Sequence, residues 1–209
     1  MYRSKREAEG HCSHLTEPVR RRLPSYYRAL IGLYADGYMK ISSVQLANAM
    51  GLAPSQVRTD MLSIGCTGQK GYGYHTADLY KRIGEVLQIH DRFSAVIVGD
   101  GELSRHLAEC HLFTKRGIKL TGRFSVNDLS DGAMITELEE FCLQSHVDIM
   151  VLACDGRIAK KCVELGERAG VRGIMNFSDC DVTSDKLTVR NLHIEDPIMM
   201  LCSEMNKDD

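Results

Sequence analysis

A short apolar run followed at once by two glycines constrains the fold of this chain more than any other feature. Ser94–Val98 is apolar enough to form a strand buried on both faces, as in parallel sheets. Gly99-Asp100-Gly101 follows, and a helix through Leu103 and Leu107 comes next. In units of this order, backbone N–H groups at the helix N-terminus receive a diphosphate. The pattern predicts a parallel α/β sheet with a nucleotide pocket.

Two positions depart from the usual dinucleotide-binding pattern. Ser104 stands where the third glycine of Gly-x-Gly-x-x-Gly is expected. The second strand, Lys119–Phe124, is followed by Ser125 rather than by an acidic residue that would hold a ribose 2′-hydroxyl. Arg123, near the expected adenosine pocket, favours a phosphorylated nucleotide instead. These residues leave NAD(H), NADP(H) and ADP or ATP open as ligands.

The α/β alternation continues through the rest of the chain. Further strands are predicted at 147–153, 173–177 and 187–192, and helices at 157–169 and after a capping box of Thr136 and Glu139. Ligands of open α/β sheets lie beyond the carboxyl ends of the strands. We therefore expect Cys154, Asp155, Asn176 and Phe177 to face the pocket.

A last helix, capped by Asp196 and Pro197, is predicted after the final strand. Its apolar residues are Ile198, Met199, Met200, Leu201 and Met205. So many apolar side chains are too many for a free helix in water, and a second subunit is the natural cover. The sequence therefore predicts a homodimer through residues 193–209.

The first part of the chain has the pattern of a helix-turn-helix. Leu23-Pro24-Ser25 is expected to open a first helix that ends at Gly37, with its inner face formed by Tyr27, Leu30, Ile31 and Tyr34. Ser42 or Ser43 begins a second helix, and Gly51 supplies the left-handed turn after it.

The third helix, about Pro54 to Ile64, is the one expected to read DNA. With Val57 and Met61 directed inward, it turns four polar residues outward: Ser55, Gln56, Arg58 and Thr59. Gln and Arg read base edges in the major groove, whereas Ser and Thr bond phosphates. A merely solvated helix face would have the same composition.

A glycine-rich stretch after that helix favours the DNA-binding interpretation. Residues 65–74 carry four glycines and alternating aromatic residues, which predicts a tight β-ribbon, or wing, with Lys70 near its tip. Arg20, Arg21, Arg22 and Arg28 add positive charge near the first helix.

Charge is distributed unevenly along the 209 residues. Residues 1–85 hold 12 Lys and Arg against 7 Asp and Glu, whereas residues 86–209 hold 14 against 21. A basic first part joined to an acidic second part suits a DNA-binding module fused to another domain. Ordinary solvation of a small domain also produces such a surplus.

The remaining composition indicates a reduced, cytoplasmic protein. Eight cysteines are scattered without a Cys-x-x-Cys pair, and the charged start does not resemble a secretory signal. No apolar run approaches the ~20 residues of a membrane span. His11-Cys12-Ser13-His14 lacks a second pair of ligands, so we expect a disordered tail there and no metal site.

The chain resembles the Rex family of redox-sensing transcriptional repressors from about Val19 onward. The matching pieces are Arg22–Arg28, Ser42-Ser43, Gln56-Val57-Arg58, Asp60, Gly65, Gly68, Lys70–Tyr74, Val98–Gly101, Arg105, Leu107 and Gly173–Phe177. The resemblance implies an N-terminal winged helix, a C-terminal Rossmann-like domain sensing the NADH/NAD balance, and a dimer with swapped C-terminal helices. It also implies that NADH releases the protein from its operator.

Residue pattern and resemblance together give the candidate sites. The DNA contacts are predicted to be Arg21, Arg22, Tyr26, Arg28, Ser55, Gln56, Arg58, Thr59, Lys70, Gly71 and Tyr72. The nucleotide contacts are predicted to be Gly99, Asp100, Gly101, Glu102, Leu103, Ser104, Ser125, Cys154, Asp155, Asn176 and Phe177. The predicted domains are 19–82 for the winged helix, 86–192 for the doubly wound sheet and 193–209 for dimerisation.

Two other classes compete with a repressor. A small dehydrogenase is disfavoured because about 120 residues of sheet domain leave no room for a substrate domain. A nucleotide- or CoA-binding module without DNA activity is the second alternative. Steep salt dependence of binding to duplex DNA separates a repressor from both.

Overall fold

The first helix, α1 (Glu17–Ala35), begins two turns before the proline that was expected to open it. Thr16 is the N-cap residue and Pro18 lies in the first turn, where a missing N–H costs nothing. Val19 and Leu23 are both buried, so packing of this early stretch outweighs the cost of Pro24 inside the helix. The predicted start at Leu23-Pro24-Ser25 was therefore wrong.

The inner face of α1 is also rotated relative to the prediction. Tyr27 and Leu30 are buried as expected, but Ile31 and Tyr34 are exposed. Their places in the core are taken by residues one turn earlier, among them Tyr26. Gly37, with φ at +84°, follows the end of the helix as predicted.

The computed structural model describes residues 15–69, 71–89, 92–111, 113–125 and 132–205, and the chain divides into two units between residues 90 and 91. After α1, the first unit contains β1 (Lys40–Ile41), α2 (Ser43–Met50), α3 (Pro54–Ser63), β2 (Tyr74–His75) and α4 (Thr76–Val86). The two short strands pair antiparallel. Residues 11–14, where we expect a disordered tail without a metal site, and Lys70, which is expected near the tip of the wing, lie outside the described residues.

Helix α4 was not predicted, and it completes the core of the first unit. Leu79, Ile83 and Val86 are buried in one cluster with residues of α1, α2 and α3. The ring of Tyr80 stacks on that of Tyr27, with centroids 4.5 Å apart. Because α4 extends to Val86, the first unit continues beyond the predicted boundary at residue 82.

The second unit is built on one parallel sheet with strand order β4-β3-β5-β6-β7. The strands are β3 (Phe93–Val98), β4 (Ile118–Phe124), β5 (Ile149–Leu152), β6 (Gly173–Asn176) and β7 (Thr188–Asn191). The helices are α5 (Glu102–Glu109), α6 (Gly132–Gln144), α7 (Gly156–Arg168) and α8 (Glu195–Met205). These strands lie within two residues of their predicted bounds.

Apolar side chains cover both faces of this sheet. Val96 and Val98 belong to a cluster with α6 and α7, whereas Ile97 and Val151 belong to another with Leu107 of α5. Alternate residues of a strand point to opposite faces, so helices pack on both sides. This confirms the predicted doubly wound sheet, which follows the N-terminal helix-turn-helix unit in the sequence.

The chain turns in opposite directions from the two central strands. From β3 it goes to β4 on one side, and from β5 it goes to β6 on the other. Backbone bonds join the strand ends there: Gly99 N–H donates to the Phe124 carbonyl and Ala153 N–H to the Val98 carbonyl, each at 2.8 Å. Such a reversal of strand order opens a crevice at the carboxyl ends, where ligands of this architecture bind.

Two other local predictions are corrected by the structure. Helix α6 begins at Gly132, before the expected capping box, and Glu139 forms an ion pair with Arg168 at 2.9 Å instead of capping. Helix α8 begins at Glu195, so Asp196 lies in its first turn and not at the predicted cap, and none of its residues is buried. Within the described residues, no helix has the length and apolar character needed to cross a membrane.

Candidate functional site

Helix α3 has one face fixed in the core and the other open to solvent. Val57, Asp60 and Met61 are buried, whereas Ser55, Arg58 and Thr59 are exposed. Ser42 caps the preceding helix α2 through a complete capping box with Gln45, and Gly51 makes the left-handed turn at φ +65°. The helix-turn-helix therefore has the predicted inward and outward faces.

A buried carboxylate fixes α3 to α1. Both oxygens of Asp60 accept from the Arg22 guanidinium, at 2.7 and 2.8 Å. Asp60 also accepts from the Tyr26 hydroxyl at 2.9 Å and from Gln56 Nε2 at 2.8 Å. Burial alone would raise the pKa of Asp60, but the bonds from Arg22, Gln56 and Tyr26 outweigh it and lower that pKa. The carboxylate therefore stays charged.

This network corrects part of the predicted DNA interface. Tyr26 is fully buried and its hydroxyl is bonded to Asp60, so its side chain lies inside the first unit and not on the predicted DNA-facing surface. Arg22 and Gln56 are bonded to Asp60 and serve first to orient α3. Arg21 and Arg28 remain on the surface, where they bond Glu17 and Ser25 respectively.

The wing is formed differently from the predicted ribbon of residues 65–74. Its returning strand, β2, pairs with β1, which precedes α2. The tip closes through Gln69 and Gly73, whose backbone groups exchange bonds at 2.8 and 2.9 Å. A Cβ on Gly73 would lie 2.3 Å from the Ile41 carbonyl oxygen, so only glycine fits there. Gly71 and Tyr72 lie at the tip, and the Tyr72 ring is 67% exposed.

A groove of about 520 Å³ separates the wing from the helix-turn-helix. Arg58 lies in it, and its Nη1 donates to the Ser43 hydroxyl at 3.1 Å. On α3, the Thr59 hydroxyl donates back to the Ser55 carbonyl at 3.1 Å. Arg58 is thus the long cationic side chain that α3 directs toward the groove.

Sequence reasoning missed two cations that support this surface. Lys40 Nζ lies 4.9 Å from the ring centroid of Tyr72, a cation–π contact between β1 and the wing. Arg82 Nε donates to the Ile64 carbonyl at the end of α3, at 2.8 Å. The positive charge of Lys40 is evident from the sequence, but its contact with Tyr72, 32 positions later, is not.

The glycine turn of the second unit lies at the crevice between the ends of β3 and β5. A Cβ on Gly99, whose φ is +149°, would lie 2.1 Å from the Ala153 carbonyl oxygen, so this glycine permits close strand approach. A Cβ on Gly101, the N-cap of α5, would meet nothing within 4 Å. Asp100, Glu102 and Leu103 complete an exposed turn. The open space at the first amides of α5 fits a diphosphate.

Ser104 and the end of β4 form the neighbouring part of this site. Ser104 is fully buried, and its hydroxyl donates to the Gly101 carbonyl at 2.8 Å, so the serine replaces the third glycine without an unsatisfied group. Arg123 Nη1 lies 3.4 Å from the same hydroxyl oxygen. Ser125 is exposed directly after β4.

Cys154 and Asp155 follow β5, as predicted, but their side chains are already engaged. Asp155 is the N-cap of α7: its Oδ1 accepts from the Arg157 N–H at 2.8 Å, and this bond lowers its pKa. The neighbouring Cys162 thiol and burial raise the pKa of Cys154 and keep it protonated. These residues shape the crevice as a neutral thiol and a capping carboxylate.

Asn176 and Phe177 follow β6, and the amide of Asn176 is wholly internal. Its Nδ2 donates to the Cys180 carbonyl and to Asn191 Oδ1, while its oxygen accepts from the Ser178 N–H and hydroxyl. Asn176 is fully buried, so its amide positions the loop and does not point to a ligand, contrary to expectation. Phe177 N–H bonds the Leu152 carbonyl at 2.8 Å and holds this loop at the crevice.

Known proteins similar to this chain cover almost its whole length. Residues 14–61 match the family model described as "Putative DNA-binding protein N-terminus". A redox-sensing transcriptional repressor Rex from Caldicellulosiruptor saccharolyticus is 36% identical over 198 residues, which are 90% of both chains. The Rex of Clostridium perfringens strain SM101 is 34% identical, over 91% of this chain and 94% of its own.

The chain belongs to the Rex family. Solved structures of that family have the same fold: a crystal structure of RSP with beta-NAD+ and operator DNA has a TM-score of 0.83 at 30% identity, covering 93% of this chain and 94% of its own. RSP with beta-NADH has a TM-score of 0.81 at 27% identity, covering 93% and 96%. The Rex family consists of redox-sensing transcriptional repressors, and the recognition and fold class predicted from the sequence are confirmed.

Proposed function

We propose that this protein represses transcription by binding operator DNA through α3 and the wing, under control of a nicotinamide dinucleotide bound in the second unit. The observation that carries the proposal is that one chain holds both an exposed Arg58 beside a wing and an open glycine turn at Gly101. A relative at 30% identity was crystallised with both classes of ligand.

DNA recognition is assigned to the outward face of α3. Arg58 supplies a fork of donors suited to a base edge in the major groove, and Ser55 and Thr59 lie beside it on the same exposed face. Arg21 and Arg28 on α1 and Lys70 at the wing are assigned to phosphates, which give affinity without sequence preference. The bonds of Asp60 keep α3 in one orientation for this purpose.

Ligand binding is assigned to the turn from Gly99 to Ser104. The first amides of α5 would hold the diphosphate, Gly101 would leave room for it, and the ends of β5 and β6 would flank the nicotinamide. When bound, the dinucleotide supplies only its oxidation state as a signal. ADP or ATP is the second candidate, supported by the uncharged Ser125 where NAD-binding units carry an acid.

The protein is further proposed to act as a cytoplasmic homodimer that catalyses no reaction. Ile198, Met199, Leu201 and Met205 of α8 are 56 to 68% exposed, which leaves an apolar helix without cover from its own chain. A two-fold partner also matches the paired half-sites that helix-turn-helix dimers read.

The test selects bound duplexes from a random DNA pool and measures their affinity by fluorescence anisotropy. We expect a palindromic site, affinity that falls steeply with salt, and release of the duplex by NADH but not by NAD+. Failure to enrich any duplex would refute DNA binding. Selection of a site that neither dinucleotide affects would refute redox control alone.

A further inference from the structure

Arg123 places a positive charge at the edge of the proposed dinucleotide site. It is the next-to-last residue of β4, and its register partner on β3 is Ile97, two residues before Gly99. Its Nη1 lies 3.4 Å from the Ser104 hydroxyl oxygen, in the first turn of α5. The guanidinium therefore lies beside the glycine turn, at the carboxyl end of β4.

The charge of Arg123 has no acidic partner among the residues that the structure describes. Its contact with Ser104 is long, and that hydroxyl already donates to the Gly101 carbonyl. Arg105, only one residue farther along α5, is by contrast paired with Glu102. A guanidinium carries five N–H donors, and Ser104 is the only bonding partner of Arg123 within the described part of the chain, so donors remain for an anion.

Ser125, two residues after Arg123, carries no charge that would repel such an anion. In dinucleotide-binding units an acid after the second strand bonds the ribose 2′-hydroxyl of NAD(H), whereas an Arg nearby accommodates the 2′-phosphate of NADP(H). Here Ser125 is exposed and neutral, and its hydroxyl can donate to a phosphate oxygen. Arg123 and Ser125 are therefore both chemically suited to bind the 2′-phosphate of NADP(H).

We propose that Arg123, with Ser125, binds the 2′-phosphate of NADP(H), so that the dinucleotide site accepts this form at least as tightly as NAD(H). The inference rests on the proposed dinucleotide function and names its ligand class. A phosphate and a guanidinium form charge-assisted hydrogen bonds, which are stronger than the neutral bond of Ser125 to a ribose hydroxyl.

The experiment measures NADPH and NADH affinities by calorimetry for the full chain and for Arg123→Gln. The expected result is a loss of NADPH affinity of about tenfold or more, with NADH affinity changed by no more than about twofold. Lys119→Gln is the matched control, because Lys119 is an exposed cation near the other end of the same strand. It should leave both affinities unchanged.

A second pair of probes isolates the 2′-phosphate from the nicotinamide. Adenosine 2′,5′-bisphosphate should bind the unmodified chain more tightly than AMP, and Arg123→Gln should remove this preference. Because Arg123 is exposed, the variant should keep the thermal unfolding midpoint of the unmodified chain, which checks that it is folded.

The outcomes separate the two proposals. Binding of NADH without NADPH, or NADPH affinity that Arg123→Gln leaves unchanged, overturns the 2′-phosphate site and leaves the dinucleotide function standing. Absence of binding by either dinucleotide overturns both. A loss of NADPH affinity in Lys119→Gln equal to that in Arg123→Gln also overturns the site, because it would reflect net charge alone.

Discussion

The Arg22 guanidinium donates to both carboxylate oxygens of Asp60, at 2.7 and 2.8 Å, and joins the first helix to the inner face of α3. Asp60 has no exposed surface, whereas 27% of the Arg22 side chain is exposed. A buried charge is tolerated only when it is paired and hydrogen-bonded. The orientation of α3 therefore depends on a contact between residues 38 positions apart.

Replacing Asp60 with Ala should destabilise the first unit by roughly 3–5 kcal/mol, because breaking a buried ion pair leaves Arg22, Tyr26 and Gln56 without their acceptor. Urea denaturation followed by circular dichroism measures the change. Glu85→Gln is the control, since it removes a surface ion pair with Arg82 and should cost less than about 1 kcal/mol. Equal effects of the two substitutions would contradict the assigned role.

The same carboxylate should make stability depend on acid. The folded pKa of Asp60 is lowered, so its contribution is fully present above the unfolded pKa of about 3.9 and is lost as pH falls through the folded value. Unfolding free energies measured between about pH 3 and 7 should therefore decrease less in Asp60→Asn than in the unmodified chain. Parallel curves for the two proteins would show that other carboxylates account for the acid sensitivity.

Local patterns predicted the sheet well and the first unit less well. The strands were found because apolar runs such as 94–98 end at glycines or polar residues, a signal contained in a few consecutive positions. The start of α1 was missed because Pro24 indicates a helix boundary, and only the burial of Val19 and Leu23 in the fold overrides it. Helix α4 was missed although Leu79, Ile83 and Val86 have helical spacing. It is short and directly follows the glycine-rich wing, so its pattern was not recognised as a separate helix.

The sequence predicted where the candidate residues lie on the fold better than it predicted which groups their side chains bond. The outward face of α3 and the strand ends lie where the sequence placed them. The internal bonds of Tyr26, Gln56 and Asn176 depend on partners that only the folded chain brings together, so the sequence did not indicate them. Exposure, unlike helical or strand periodicity, is a property of the whole fold.

Arg58→Ala should cost about 1–3 kcal/mol of DNA affinity and relax specificity at one base position, because a bidentate contact to a base edge is lost. Lys70→Ala should weaken all duplexes alike and reduce the salt slope by about 1, because it removes one phosphate contact. Gel-shift titrations with the selected site and with single-base variants distinguish the two patterns. Unchanged binding by both variants would refute this part of the interface.

Deleting the chain after Leu192 should convert a dimer into a monomer, because it removes α8 with its exposed Ile198, Met199, Leu201 and Met205. Multi-angle light scattering measures the mass. Ser203→Asp in the full chain is a second, milder test of the dimer, since it adds a charge to this apolar helix without shortening the protein. A truncated chain that remains a dimer would show that another surface forms the interface.

Ser125→Asp should tighten NADH binding, because a carboxylate there can accept a charge-assisted bond from the ribose 2′-hydroxyl. Bonds of this class contribute about 1.5–3 kcal/mol, which corresponds to roughly ten- to a hundredfold in affinity. The same carboxylate would repel a 2′-phosphate, so NADPH affinity should fall in parallel. Calorimetry of the variant with both dinucleotides, using Ser125→Asn as the uncharged control, measures the two changes. Tight NADH binding by the unmodified chain, with no gain in Ser125→Asp, would mean that the ribose is held by residues other than those at the end of β4.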